Sequence, residues 1–166
     1  MEKNITLLND ENVSGAYSFK FTRFSNLLDP LQVNNGEIED AVPLRSGSQI
    51  YVANFFTDEL SFDDKPVTRN GEECRRITIS GTIYKDSLIN RQLFATMRDQ
   101  RYLLCYEDMN GLRLIIGEKD QGCQIEADIT HGGGNGANAI KFTVSYISIG
   151  YLPVVKSTVV NPFSIA

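Results

Sequence analysis

Tryptophan is absent from this chain, and histidine occurs once, at His131. One histidine cannot build a zinc site alone, and no Cys-x-x-Cys pair stands ready to help it. The cysteines Cys74, Cys105 and Cys123 are odd in number and irregularly spaced, which excludes a disulfide framework. Reduced thiols fit assembly in a cytoplasm-like compartment. No run approaches the roughly 18 apolar residues of a membrane helix. The start, Met1-Glu2-Lys3-Asn4-Ile5, lacks the basic region and apolar run of a secretion signal. Without secretion, the sequons at Asn4 and Asn12 carry no meaning. A basic excess is also missing. The formal charge is −5, so the chain shows no general nucleic-acid footprint.

What charge there is lies unevenly. Residues 1–64 hold 11 acids against 4 bases, and residues 65–166 hold 10 against 12. Such a split suits one subunit's front docking on the next subunit's back, or simply an acidic solvated surface. At 166 residues the chain is long enough for one domain, 1–166, that builds its core without staples.

Residues 1–12 read as an extended N-terminal arm. Tyr17, Phe19 and Phe21 alternate with Ser18, Lys20 and Thr22, the mark of a half-buried strand. Residues 34–47 read as loop with short strand fragments, and 48–56 as a second strand. The acidic stretch from Thr57 to Cys74, with Pro66 and Asn70-Gly71, reads as a long loop or protruding hairpin. Ile77, Ile79 and Ile83 then face one way, with Gly81 marking a bulge or a close backbone approach. A helix over about 86–100, capped by Asp86 or Ser87, carries the apolar stripe Ile89, Leu93, Phe94 and Met97.

Residues 102–106 and 112–116 are strands joined through Asp108-Met109-Asn110-Gly111. Cys123, Ile125, Ala127 and Ile129 alternate with Gln124, Glu126, Asp128 and Thr130. Ile140, Phe142, Val144 and Tyr146 form a last long strand, and the slip of phase at Ile147 and Ile149 predicts a bulge. The C-terminal arm, 151–166, is too apolar for a solvated end and too proline-broken for a helix. It should lie extended on a neighbour or on its own sheet.

Chemistry has few candidates. His131 with Cys105 or Cys123 could pair a thiol nucleophile with a base, but both cysteines fall in apolar strand phases, where a thiol is inert. The glycines of His131–Gly136 lead to a strand and not to a helix, so a hairpin tip fits better than a phosphate cradle. Glu126 and Asp128 share a strand face with Gln124 and Thr130, which reads as a wet face and not as a catalytic pair. The acids Asp58, Glu59, Asp63 and Asp64 lack calcium-loop spacing. Phe55, Phe56, Phe62, Tyr151 and Phe163, at strand ends, loops or tail, are candidate interface anchors.

The run Arg76-Ile77-Thr78-Ile79-Ser80-Gly81-Thr82-Ile83, the helix Asp86–Gln100 and the strand Arg101–Glu107 resemble the middle of tail-tube-like phage proteins. The stretches Gly111–Gly117 and Ala139–Tyr146 fit the same pattern of element order, length and texture. The resemblance implies a mainly β, antiparallel β-sandwich or partial barrel with one packed helix and extended termini. It implies a structural subunit of a phage virion, a homo-oligomeric ring of sixfold or twelvefold type in tail or neck. Such a ring meets other tail or neck proteins, and DNA passes through it without specific binding. The expected place is the virion, assembled in the host cytoplasm, with no membrane, catalysis, cofactor or metal.

The expected subunit interface combines Val154, Val155, Val159, Val160 and Phe163 of the tail, His131, Gly133 and Asn135 of the glycine tip, and Asp58, Asp63 and Asp64 of the acidic loop. The alternative is a carbohydrate- or protein-binding β-sandwich module of adhesin or baseplate type.

Overall fold

The computed structural model describes residues 2–5, 17–55, 60–84, 87–108, 111–118, 121–130 and 139–166. The first strands are β1 (Glu2–Ile5), β2 (Tyr17–Arg23), β3 (Glu37–Ile38), β4 (Val42–Leu44) and β5 (Ile50–Phe55). They are followed by β6 (Leu60–Arg69), β7 (Glu72–Tyr84), the helix α1 (Leu88–Met97) and β8 (Arg101–Glu107). The last are β9 (Arg113–Ile116), β10 (Cys123–Thr130), β11 (Ala139–Ser148), β12 (Val154–Val155) and β13 (Phe163–Ile165). Over the described residues the chain is mainly β with one α-helix and folds in a sandwich-like way.

The main sheet runs β1-β5-β2-β8-β10-β11-β7-β6. Among the described residues its ends do not meet, so no closed barrel forms. Most pairs are antiparallel; β1 with β5, β12 with β3 and β13 with β4 are parallel. Glu2–Ile5, the front of the expected N-terminal arm, are therefore part of the sheet.

Strand β8 is where the sheet forks. One edge pairs with β2 from Arg23↔Tyr102 to Ser18↔Glu107. The other edge meets β10 at Arg101 and Tyr102, then β9 from Leu104 to Glu107. Its run Tyr102–Tyr106 is wholly buried, because both of its faces are covered. Tyr102, Leu104 and Tyr106 join a first core with Phe19, Phe21, Ile77, Ile79, Phe142 and Val144. Leu103 and Cys105 join a second core with Leu44, Ile115, Val155 and Phe163. A continuous apolar run is what a strand buried on two faces requires.

Of the two readings of Thr57–Cys74, loop or hairpin, the described part is a long hairpin, β6 on β7, registered from Leu60↔Gly81 to Arg69↔Glu72. Its turn uses Asn70 and Gly71 at φ of 51° and 86°, the left-handed pair that matches strand twist. Gly81 marks no bulge: its pairing with Leu60 and with Phe142 is unbroken. It marks the close approach, since a Cβ there would sit 2.4 Å from the Phe142 ring.

The bulge expected near Ile147 is also absent from the β11–β7 register, which continues to Ser148↔Arg75. Ser148 takes the inward site, and Ile149 lies beyond the strand, 78% exposed. Thr22 is fully buried where a wet face was expected. Its hydroxyl donates to Gln49 O at 2.7 Å and accepts from Asn26 Nδ2 at 2.8 Å, which lets the second core cover that end of β2.

The helix is shorter than 86–100. Ser87 caps it, its Oγ accepting from Asn90 N at 3.2 Å. Extended backbone at Arg98 and a positive φ at Asp99 end it. Leu93, Phe94 and Met97 pack on the first core, but Leu88 and Ile89 are exposed. Only the C-terminal part of α1 lies on the sheet, so Ile89 falls off the expected stripe.

Candidate functional site

The apolar tail docks on its own chain. Val155, Val159 and Phe163 are buried in the second core, and β13 pairs with β4 from Phe163↔Val42 to Ile165↔Leu44. Val154 is half-buried and Val160 is exposed. The guanidinium of Arg113 fixes this segment. Its Nη1 donates to Val159 O and to Val160 O (3.3 Å), and its Nη2 donates to Lys156 O at 3.0 Å. An arginine fork suits such a set of convergent carbonyls. The tail therefore offers a neighbour Val160 and the strand edge of β13 more than the whole apolar set.

Asp63 and Asp64 of β6 are paired within the chain. Asp63 lies 3.1 Å from Lys65, and Asp64 accepts from Arg75 Nε at 2.7 Å. Arg75 also lies 4.5 Å from the ring centre of Tyr151, which is 82% exposed. The hydrogen bond that Arg75 donates to Asp64 moves the Arg75 pKa further up. Phe62, another expected anchor, stacks on Tyr106 with ring centres 4.9 Å apart and so belongs to the first core. Asp58, Glu59, Phe56, His131, Gly133 and Asn135 lie outside the described residues, as does the side chain of Phe55.

The thiols are set for packing. Burial pushes Cys105 and Cys123 up to about 12, so neither forms a thiolate near neutral pH. Cys123 Sγ donates to Tyr102 O at 3.0 Å. Cys74 is buried as well. Among the described residues no group of three His, Cys, Asp or Glu is placed to hold a metal ion, and no helix is long and apolar enough to cross a membrane.

A further set of solvent-facing side chains lies on the outer face of β10, β11, β7 and β6. Register places Arg101, Gln124, Ser145, Thr78 and Asp63 in one row across this face. Ile147, Arg76 and Lys65 form the next row. Where β8 and β10 separate, a groove of about 830 Å³ opens, lined by Arg69, Arg76, Arg101, Gln124, Ile147 and Phe24 among others. Arg101 Nη1 donates to Gln124 Oε1 at 2.9 Å. Arg69 and Arg76 are exposed and make no ion pair with a described residue.

Sequence reading missed this groove and the Arg113 fork. Arg76 is legible as an outward-phase residue of its strand, whereas Lys65 falls in the stretch read as a loop or hairpin. Arg101 joins them only through the β8–β10–β11–β7 order, which no local pattern carries. Comparison with family models, curated proteins and solved structures finds no match for this chain.

Proposed function

We propose that this chain is a structural subunit of a phage virion, one copy in an oligomeric ring of the tail or neck around the DNA channel. The observation that carries the assembly reading is β6. It is a ten-residue strand at the end of the main sheet, and among the described residues no strand pairs with its outer edge. Such an edge is a template for a strand of another chain. Pro66 and the charges Asp63, Asp64 and Lys65 restrict which strand can add, which favours a specific neighbour over indiscriminate aggregation. Edge-to-edge joining closed by rotation gives a ring.

The virion context comes from the resemblance of the strand, helix and strand order over residues 76–107 to tail-tube-like proteins. The net acidity supports a conduit that DNA slides through over a surface that grips phosphates. A carbohydrate- or protein-binding module is the second reading, supported by Tyr151, an exposed ring braced by Arg75.

Light scattering over a concentration series tests the first reading. Rings of discrete mass, or long tubes, are expected, with symmetry read from negative-stain images. A strict monomer that binds glycans through Tyr151 would replace it with the second reading.

A further inference from the structure

The groove at the β8–β10 fork joins three arginines to an apolar floor. Arg76 and Arg101 stand on strands three spacings apart, which is about 14 Å across the sheet. That separation suits several carboxylates strung along an extended chain better than one small anion. Ile147, half-buried on β11 between the strands of Arg76 and Arg101, gives the floor an apolar patch, and the half-buried Phe24 lines the groove on the far side of Arg101. Glu126 and Asp128 lie exposed on the same outer face, beyond Gln124. They would repel a long uniform polyanion that continued past the groove, and the chain's net charge of −5 adds to that repulsion. The site therefore fits a short acidic segment of protein better than a nucleic acid.

The chain itself carries such a segment. Between Asp29 and Asp40 the acids Asp29, Glu37, Glu39 and Asp40 are all exposed. Only Glu39 has a described basic partner, Lys156 at 3.4 Å. Val33 within this stretch and Leu28 just before it, each 49% exposed, supply apolar side chains. Acids spaced along exposed chain, with Val33 among them, mirror the arginines and the apolar patch of the groove.

We infer that the Arg69–Arg76–Arg101 groove receives the acidic segment 29–40 of a second copy of this chain. The inference rests on the self-assembly reading and names the contact that directs it. Segment and groove are different surfaces, so the contact runs head to tail from copy to copy, as a ring requires. It also uses the charge asymmetry between the two parts of the chain.

The test is sedimentation velocity on the full chain and two charge-reversed variants, with circular dichroism to verify folding. All the reversed side chains are exposed. Arg76→Glu with Arg101→Glu should weaken self-association at least tenfold, and so should Glu37→Lys with Asp40→Lys. An equal mixture of the two variants should restore it, because each reversed segment then meets a reversed groove. Raising salt from about 50 mM to about 500 mM should weaken the wild type.

Assembly unchanged by either reversal, or a mixture that fails to recover, overturns the inference and leaves the assembly reading standing. A wild-type monomer at every concentration overturns both. A single-stranded oligonucleotide bound by the wild type and lost with Arg76→Glu and Arg101→Glu, without copy–copy association, replaces the acidic segment with nucleic acid as the occupant.

Discussion

Replacing Phe163 by alanine distinguishes a tail that belongs to its own chain from one that belongs to a neighbour. Phe163 is 5% exposed and packs in the second core with Leu44, Val42, Val155 and Val159. Burying roughly 150 Å² of ring at about 25 cal/mol per Å² contributes about 4 kcal/mol. A site on the edge strand of the two-stranded β13–β4 sheet can partly collapse around the lost ring, so the expected cost is about 3 kcal/mol. With a urea m-value of about 2 kcal/mol per molar, the midpoint should fall by about 1.5 M.

The assay is urea unfolding followed by circular dichroism at two widely separated protein concentrations. The fall should be the same at both, because the contacts are internal. Deleting Asn161–Ala166 should do at least as much damage, since it also removes β13 from β4. Val160→Ala, at an 85% exposed site, should change little. A Phe163→Ala cost below about 1 kcal/mol, or one that depends on concentration, would refute the internal docking and return the tail to a neighbour.

Three further outcomes are expected. Gly81→Ala drives a Cβ to 2.4 Å from the Phe142 ring, which is itself 2% exposed beside Phe19; a loss of at least about 2 kcal/mol in the same assay should be partly regained by adding Phe142→Leu. Arg113→Ala removes the fork from the tail carbonyls and should cost about 2 kcal/mol and speed tryptic cleavage at Lys156, while Arg113→Lys recovers less than half, because an ammonium cannot fork.

Stability should be level at neutral pH and fall in alkali. The folded chain holds the Cys105 and Cys123 protons up to about 12, against an ordinary thiol value near 9, so the unfolded chain binds fewer protons between those limits. Each thiol then removes up to about 1.4 kcal/mol per pH unit. Tyr102, raised from 10 to about 12 by burial, adds to the slope above its ordinary value. A flat melting profile from about pH 9 to pH 11 would contradict this account of the buried thiols.

Local alternation carried four of the longer strands. Period-two patterns located β2, β7, β10 and β11, Asn70-Gly71 pointed to a turn, and Ser87 to the helix start. Elements failed where a distant segment decides burial. Thr22 reads as wet because nothing local announces that Gln49 and Asn26 will satisfy its hydroxyl. Ile89 reads as core because the 3.6-residue period does not say how much of a helix the sheet will cover. Ile147 and Ile149 suggested a bulge, yet Ser148 simply takes the inward site and the strand stops. The groove was the least legible, since Arg69, Arg76 and Arg101 meet through strand order alone.

Strand β8 has a consequence for how the chain finds its register. In a strand with one wet face, a slip by one residue turns polar groups inward and is rejected on polarity. From Tyr102 to Tyr106 both phases are apolar, so polarity does not oppose a slip. Size does. Tyr102, Leu104 and Tyr106 fill one side, and the smaller pair Leu103 and Cys105 fills the other. A slip would press tyrosines into the space shaped for leucine and cysteine and leave voids where the rings had been. The two sides of this molecule are told apart by volume, with Arg101 and Glu107 as the only charged markers at the ends of the strand.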